Sequence, residues 1–210
     1  MDTNERKIIT ADPSALGLFG LAMVTLVAAS QKLGWTSGTS FIIPWVMFLG
    51  ASAQLFACIN DAKKNNIFGT TVFGAFAFFW YSVGMTWMIQ LGVFGEAMAA
   101  NADVKQLGFA FLGYLVFCLF MTFAALETSK FLFIIFIFID FLFIGLTGSV
   151  LFGIESFHTL AAWSELIIAI LGFYGSGAHV INATFGKTFL PFGKPFGIFK
   201  KPAPSTQKAA

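Results

Sequence analysis

Six long apolar stretches constrain this chain more than any other feature: Ala15–Leu33, Phe41–Asn60, Phe68–Leu91, Leu107–Leu126, Phe131–Phe152 and Leu160–Phe185. A bilayer core about 30 Å thick requires roughly 20 apolar residues per helix. Lipid offers backbone N–H and C=O groups no partner, so each such segment must satisfy its own as a helix. The chain is 58% apolar and only 10% charged, too little charge to clothe a soluble surface. It reads as an all-α, multi-pass membrane protein with six transmembrane helices. Residues 1–10 form an N-terminal tail, 11–193 a six-helix transmembrane domain, and 194–210 a flexible basic C-terminal tail.

Orientation follows from Lys and Arg, which favour the cytoplasmic side. With the N-terminus inside, Arg6, Lys7, Lys63, Lys64, Lys130, Lys187, Lys194, Lys200, Lys201 and Lys208 are cytoplasmic, against Lys32 and Lys105 outside. Both termini are therefore placed in the cytoplasm and the protein in the cell membrane. Trp35, Trp45, Trp87 and Trp163 fall near outer span ends, where indoles favour the interface, while Trp80 lies deeper. Arg6-Lys7, an apolar core and Val27-Ala28-Ala29 imitate a cleavable signal. The structured Asp12-Pro13 start and the need for an even span count argue against cleavage. Cys58 and Cys118 lie inside spans and read as packing residues.

The first span opens with Asp12-Pro13, an N-cap acceptor followed by a residue that needs no donor at the first helical position. Glycines in the spans suit close helix contact, and some suit a pore. Gly17, Leu21, Thr25 and Ala28 share one face of span one, and Gly50, Gln54 and Asp61 a stripe on span two. On span six, Glu165, Gly172 and His179 fall two heptads apart on one face. Polar groups there face either a watery cavity or a neighbouring helix. Asp140, mid-span among Phe and Ile, is the most expensive residue, since a charged carboxylate at that depth costs several kcal/mol. It is either a proton-linked group or a hydrogen-bonded tie to a neighbouring helix.

Signals of other chemistry are absent from the sequence. His158 and His179 lie near opposite membrane faces, and no Cys, His and carboxylate set has metal-ligand spacing. There is no phosphate-cradling loop and no nucleophile elbow. Neither an enzyme, a metal nor a cofactor is expected. Topology and anionic lipid account for the basic residues, so nucleic acid is not an expected partner; the lipid bilayer is.

Several local patterns are similar to those of the acetate uptake transporter family, in particular the bacterial succinate–acetate permeases. The family signature Asn-Pro-Ala-Pro-Leu-Gly-Leu resembles Asp12-Pro13-Ser14-Ala15-Leu16-Gly17-Leu18. Ala53-Gln54-Leu55-Phe56-Ala57, Lys63-Lys64-Asn65-Asn66-Ile67-Phe68-Gly69, Phe79-Trp80 and Phe185-Gly186-Lys187-Thr188-Phe189-Leu190-Pro191 also match, so the resemblance covers about residues 11–193.

The resemblance implies six helices around a narrow pore in each protomer, a homo-hexamer, and movement of acetate or related monocarboxylates, with succinate in some members. Coupling to protons and channel-like conduction both remain open. It places an apolar constriction at Leu21, Phe76 and Ile139, with Gly172 a small residue beside it. Asp12, Pro13, Leu16 and Gly17 become a motif at the solute's mouth; Thr25, Gln54 and His179, picked out by helical spacing, are the polar pore candidates. Asp12 departs from the family's Asn, Ala15 from its second Pro, and Phe76 from its Tyr. A narrow apolar ring also suits urea, ammonia or water, and a non-transporting scaffold or sensor is a further alternative.

Overall fold

The computed structural model describes residues 11–199. The N-terminal tail expected at 1–10 and residues 200–210 of the C-terminal tail, with their basic side chains, lie outside the described residues. Among the described residues, six helices are long and apolar enough to cross a membrane: α1 (Ser14–Lys32), α2 (Ile42–Lys63), α3 (Ile67–Gln90), α5 (Val104–Ala125), α6 (Lys130–Phe152) and α7 (Glu155–Phe185). A short α4 (Glu96–Ala100) lies between α3 and α5. The protein is thus an all-helical, multi-pass membrane protein. The last span begins at Glu155, ahead of the expected Leu160, because Gly153 closes α6 in the left-handed region (φ 68°) and lets the chain turn at once.

Local chemistry sets the helix ends. Asn66 caps α3 by accepting from the Gly69 N–H, and Ser129 caps α6 by accepting from Leu132. At α1, Asp12 Oδ1 accepts from the Ser14 N–H at 3.0 Å, while Pro13 already contributes its carbonyl to Gly17 N. Residues Trp45–Ala51 of α2 form a π-helical segment. Ser52 donates to the Met47 carbonyl and meets the Tyr81 hydroxyl at 2.9 Å, tying that segment to α3.

Contacts run α1–α2–α3–α5–α6–α7 and back to α1, a closed ring of six spans. In lipid such contacts depend on close approach more than on apolar transfer. A methyl at Gly20 would stand 2.8 Å from Ala53 Cβ and 3.2 Å from the Leu49 carbonyl, so α1 lies almost directly on the π segment. At Gly145 it would lie 2.6 Å from both the Ala161 N and the Phe157 O of α7. Outward faces carry exposed Phe48, Phe56, Phe78, Phe109, Phe120 and Phe123, as a lipid-facing or oligomeric surface requires. Trp35, Trp45 and Trp163 are also exposed.

After α7 the chain returns as an extended strap beneath the bundle. Asn182 holds its start by accepting from Phe189 and Leu190 N–H groups, and Tyr174 donates to the Pro191 carbonyl. Phe131 N donates to Phe192 O, and Phe196 N to Leu126 O. The attachment continues past residue 193, the expected end of the transmembrane domain. Glu127 Oε1 accepts from Ile198 and Phe199 N–H groups, so the bound segment extends to Phe199.

Candidate functional site: an inner cavity among the spans

A cavity of about 280 Å³ lies inside the ring of spans. Its wall includes Ser14, Asn66 and Ser129, at the N-terminal ends of α1, α3 and α6. These are the ends that the charge asymmetry assigns to the cytoplasm. About 10–15 Å deeper, at 1.5 Å rise per residue, the wall includes Leu21, Phe76 and Ile139. They are 8%, 5% and 3% exposed, so apolar side chains from three spans are packed at this depth. One turn further out, Thr25, Trp80 and Phe143 are also buried.

The position of Phe76 has an aromatic cause that sequence reading missed. Phe143 stands between the rings of Phe76, Phe79 and Tyr114, at centroid distances of 6.3, 5.3 and 5.5 Å. Tyr114 donates to the Ala75 carbonyl at 2.8 Å, fixing α5 to α3 beside the ring. Nothing in the run Phe141-Leu142-Phe143-Ile144 distinguishes the inward Phe143 from the outward Phe141 except their helical phase.

The polar candidates separate into two groups. Gln54 and His179 line the cavity. Gln54 Nε2 donates to Gly50 O at 3.1 Å. His179 Nδ1 lies 3.3 Å from Asp12 Oδ2, joining the end of α7 to the start of α1, and its ring sits 4.6 Å from that of Phe192. That hydrogen bond holds the Asp12 carboxyl well below the usual carboxylate range. Desolvation works against it, and the Ser14 N–H adds to it. The Asp12 charge therefore faces an imidazole. Thr25 instead turns back on its own helix, donating to Leu21 O at 2.7 Å.

The stripe on the sixth span is mainly a helix contact. Gly172 faces α1, where a Cβ would meet Ala22 Cβ at 2.9 Å. Glu165 pairs with Lys32 at 2.9 Å, with side chains 2% and 14% exposed. Ser176 donates to Ala15 O, and a Cβ at Gly175 would touch Leu18. Spacing identified this face, but the partner helix depends on tertiary structure. Pro13 and Gly17 are buried, Gly17 against Phe73 and Ala57, while Leu16 is exposed.

Asp140 lies between α5 and α6, away from the cavity wall. Thr122 Oγ1 is 2.7 Å from Asp140 Oδ2 and 2.9 Å from Cys118 O. The Thr122 hydroxyl donates toward the Asp140 carboxyl on the neighbouring helix and lies beside the Cys118 carbonyl on its own. This arrangement ties two helices together. Sequence reading gave too little weight to Asp61, which lines the cavity at 2% exposure with Oδ2 unpartnered.

Comparison with known proteins supplies a family for this architecture. The chain is 32% identical to the Succinate-acetate/proton symporter SatP of Escherichia coli (strain K12), over 88% of this chain and 96% of that protein. It is 25% identical to the Ammonia transport outward protein 2 of Saccharomyces cerevisiae, over 88% of this chain and 67% of that one. The solved structure of the bacterial acetate channel SatP superposes with a TM-score of 0.81 at 30% identity, over 88% of this chain and all of that one. With residues 2–192 matching the family as a whole, the chain belongs to the GPR1/FUN34/yaaH family.

Proposed function

We propose that this protein moves acetate and similar small monocarboxylates across the cytoplasmic membrane, through the inner cavity and past the ring of Leu21, Phe76 and Ile139. The observation that carries this reading is the cavity's composition. Residues from three helix N-termini lie at its mouth, and three apolar side chains lie at its depth. Helix N-termini carry unpaired N–H groups and a positive field, which gather anions. An apolar constriction passes small solutes that shed water readily and rejects larger ones. The similarity to a succinate-acetate/proton symporter over nearly its whole length supports the same substrate class.

Reconstituted protein tests this by labelled acetate uptake, with and without an imposed pH gradient. Uptake that follows the gradient supports symport, and gradient-independent uptake supports channel-like conduction. Uptake no faster than in empty vesicles refutes both. A second reading, passage of ammonia, is favoured by the yeast relative, and an apolar ring also suits that neutral solute. Ammonium-driven alkalinisation of the same vesicles without acetate flux would establish it. We assign the assembly as a homo-hexamer from the family resemblance. The exposed aromatic faces of α5 are compatible with protomer contact, and native mass spectrometry counts the subunits.

A further inference from the structure

A single carboxyl group breaks the largely apolar wall of the inner cavity. Asp61 is 2% exposed, lines the cavity, and receives no hydrogen bond at Oδ2. That oxygen rests over Gly69, where a methyl group would overlap it, with the Asn66 amide alongside. The Asn66 amide is a hydrogen-bond partner of this carboxyl, while Oδ2 has none of its own, and a proton or a guest's donor satisfies it.

The charged and titratable groups facing Asp61 are Asp12 from the α1 entrance, His179 from α7, Lys64 at its own helix end and the Cys58 thiol one turn back. From α6 and its preceding loop, the wall receives only Thr128, Ser129 and apolar side chains. Asp12 and His179 are paired with each other. Among the described residues no cation lies within ion-pair distance of Asp61.

We propose that the cavity binds its carboxylate solute as an acid–carboxylate pair, in which solute and Asp61 share one proton. This rests on the reading of the chain as a carboxylate conduit and adds the group that couples anion to proton. Two carboxylates in contact inside a poorly solvated cavity do not both stay ionised. Where Asp61 is ionised in the empty cavity, the anion therefore enters with one proton taken from the solvent. That proton forms an O–H bond on one carboxyl and a short charge-assisted hydrogen bond to the other. No atom changes oxidation state, and on release anion and proton return to water together. The occupied cavity has the same net charge as the empty cavity with Asp61 ionised, which removes the repulsion a buried Asp would exert on an anion.

Linkage makes this measurable, because binding that takes up one proton weakens tenfold for each unit of rising pH. Asn at position 61 offers an N–H in place of the acid's O–H, so it accepts the anion without a proton. The experiment titrates the purified full-length protein with ¹³C-acetate by NMR at pH 6.5 and 7.5. Proton uptake at saturation is read by an indicator dye in weak buffer. The wild type should take up one proton per acetate and bind about tenfold more weakly at the higher pH. Asp61→Asn should take up none, and its affinity should change less than twofold. His179→Gln should keep the proton, which separates Asp61 from an imidazole that would also attract an anion.

Proton uptake that persists in Asp61→Asn, or vanishes in His179→Gln, overturns the assignment. Should Asp61→Asn fail to fold, acetate binding by the wild type without proton uptake overturns it equally. Wild-type protein that binds no acetate refutes the conduit reading itself, and the proton-sharing pair with it.

Discussion

Ile139→Ala tests the ring at its most enclosed member. Ile139 is 3% exposed and lines the cavity with Leu21 and Phe76, so removing three of its carbon atoms widens the solute's path directly. Apolar pockets discriminate one methylene by about 1–3 kcal/mol, or roughly 10–200-fold in rate. Lactate exceeds acetate by one carbon and a hydroxyl. The space vacated by three carbons should therefore raise the lactate-to-acetate flux ratio by about tenfold to a hundredfold. Ile139→Val, which removes one methyl, should fall between.

The same substitution loosens packing. An Ile→Ala cavity costs about 2–5 kcal/mol in water-soluble cores, and the low end applies where lipid removes the apolar transfer part and leaves mainly lost dispersion. The assay is competitive uptake of labelled acetate and lactate into proteoliposomes, with thermal unfolding measured on the same preparations. Phe141→Ala, on the same helix but 43% exposed, is the control and should leave the ratio unchanged. A folded Ile139→Ala protein whose ratio stays within twofold of wild type would remove Ile139 from the path.

Other expectations follow from the packing. Glu165→Ala strands the Lys32 ammonium inside the α1–α7 contact and should destabilise the protein by about 3–5 kcal/mol, read as a lowered unfolding temperature. A Lys32→Met, Glu165→Leu double variant should recover most of the loss, and no recovery would contradict a packing role for the pair. Asp140→Asn keeps an acceptor for the Thr122 hydroxyl, so the pH profile of acetate uptake should survive it; a flattened profile would return Asp140 to the transport path. Gly145→Ala should cost about 1–3 kcal/mol because its Cβ meets α7 backbone. Gly177→Ala, which meets open space, should be neutral or stabilising by about 0.5–1 kcal/mol; equal unfolding temperatures for the two would refute the contact assignment.

The spans were legible because bilayer thickness and backbone satisfaction leave one solution for a run of about 20 apolar residues. The start of α1 was legible to within one residue: Asp12 accepts from the Ser14 N–H as its local spacing suggests, although Pro13 and not Asp12 is the N-cap. The face carrying Glu165, Gly172 and His179 was visible from helical phase. Its partners Lys32, Ala22 and Asp12 were not, since they depend on which antiparallel helix lies opposite. Asp61 was visible on the stripe with Gly50 and Gln54, but its burial was not, because that depends on the missing side chain at Gly69 of the next span. The strap to Phe199 carries no hydropathy pattern, and its hold consists of backbone groups meeting Leu126 and Glu127 from distant sequence.

The central claim, that small carboxylates pass through the ring within this chain, is tested most directly by acetate flux at pH 7.5, where nearly all acetate is ionised. Wild-type proteoliposomes should take up labelled acetate well above empty liposomes. Leu21→Trp, filling the closed end of the cavity, should return uptake to the empty-liposome level while the protein still unfolds cooperatively. Wild-type uptake at the background level, or undiminished uptake by a folded Leu21→Trp protein, would contradict the account.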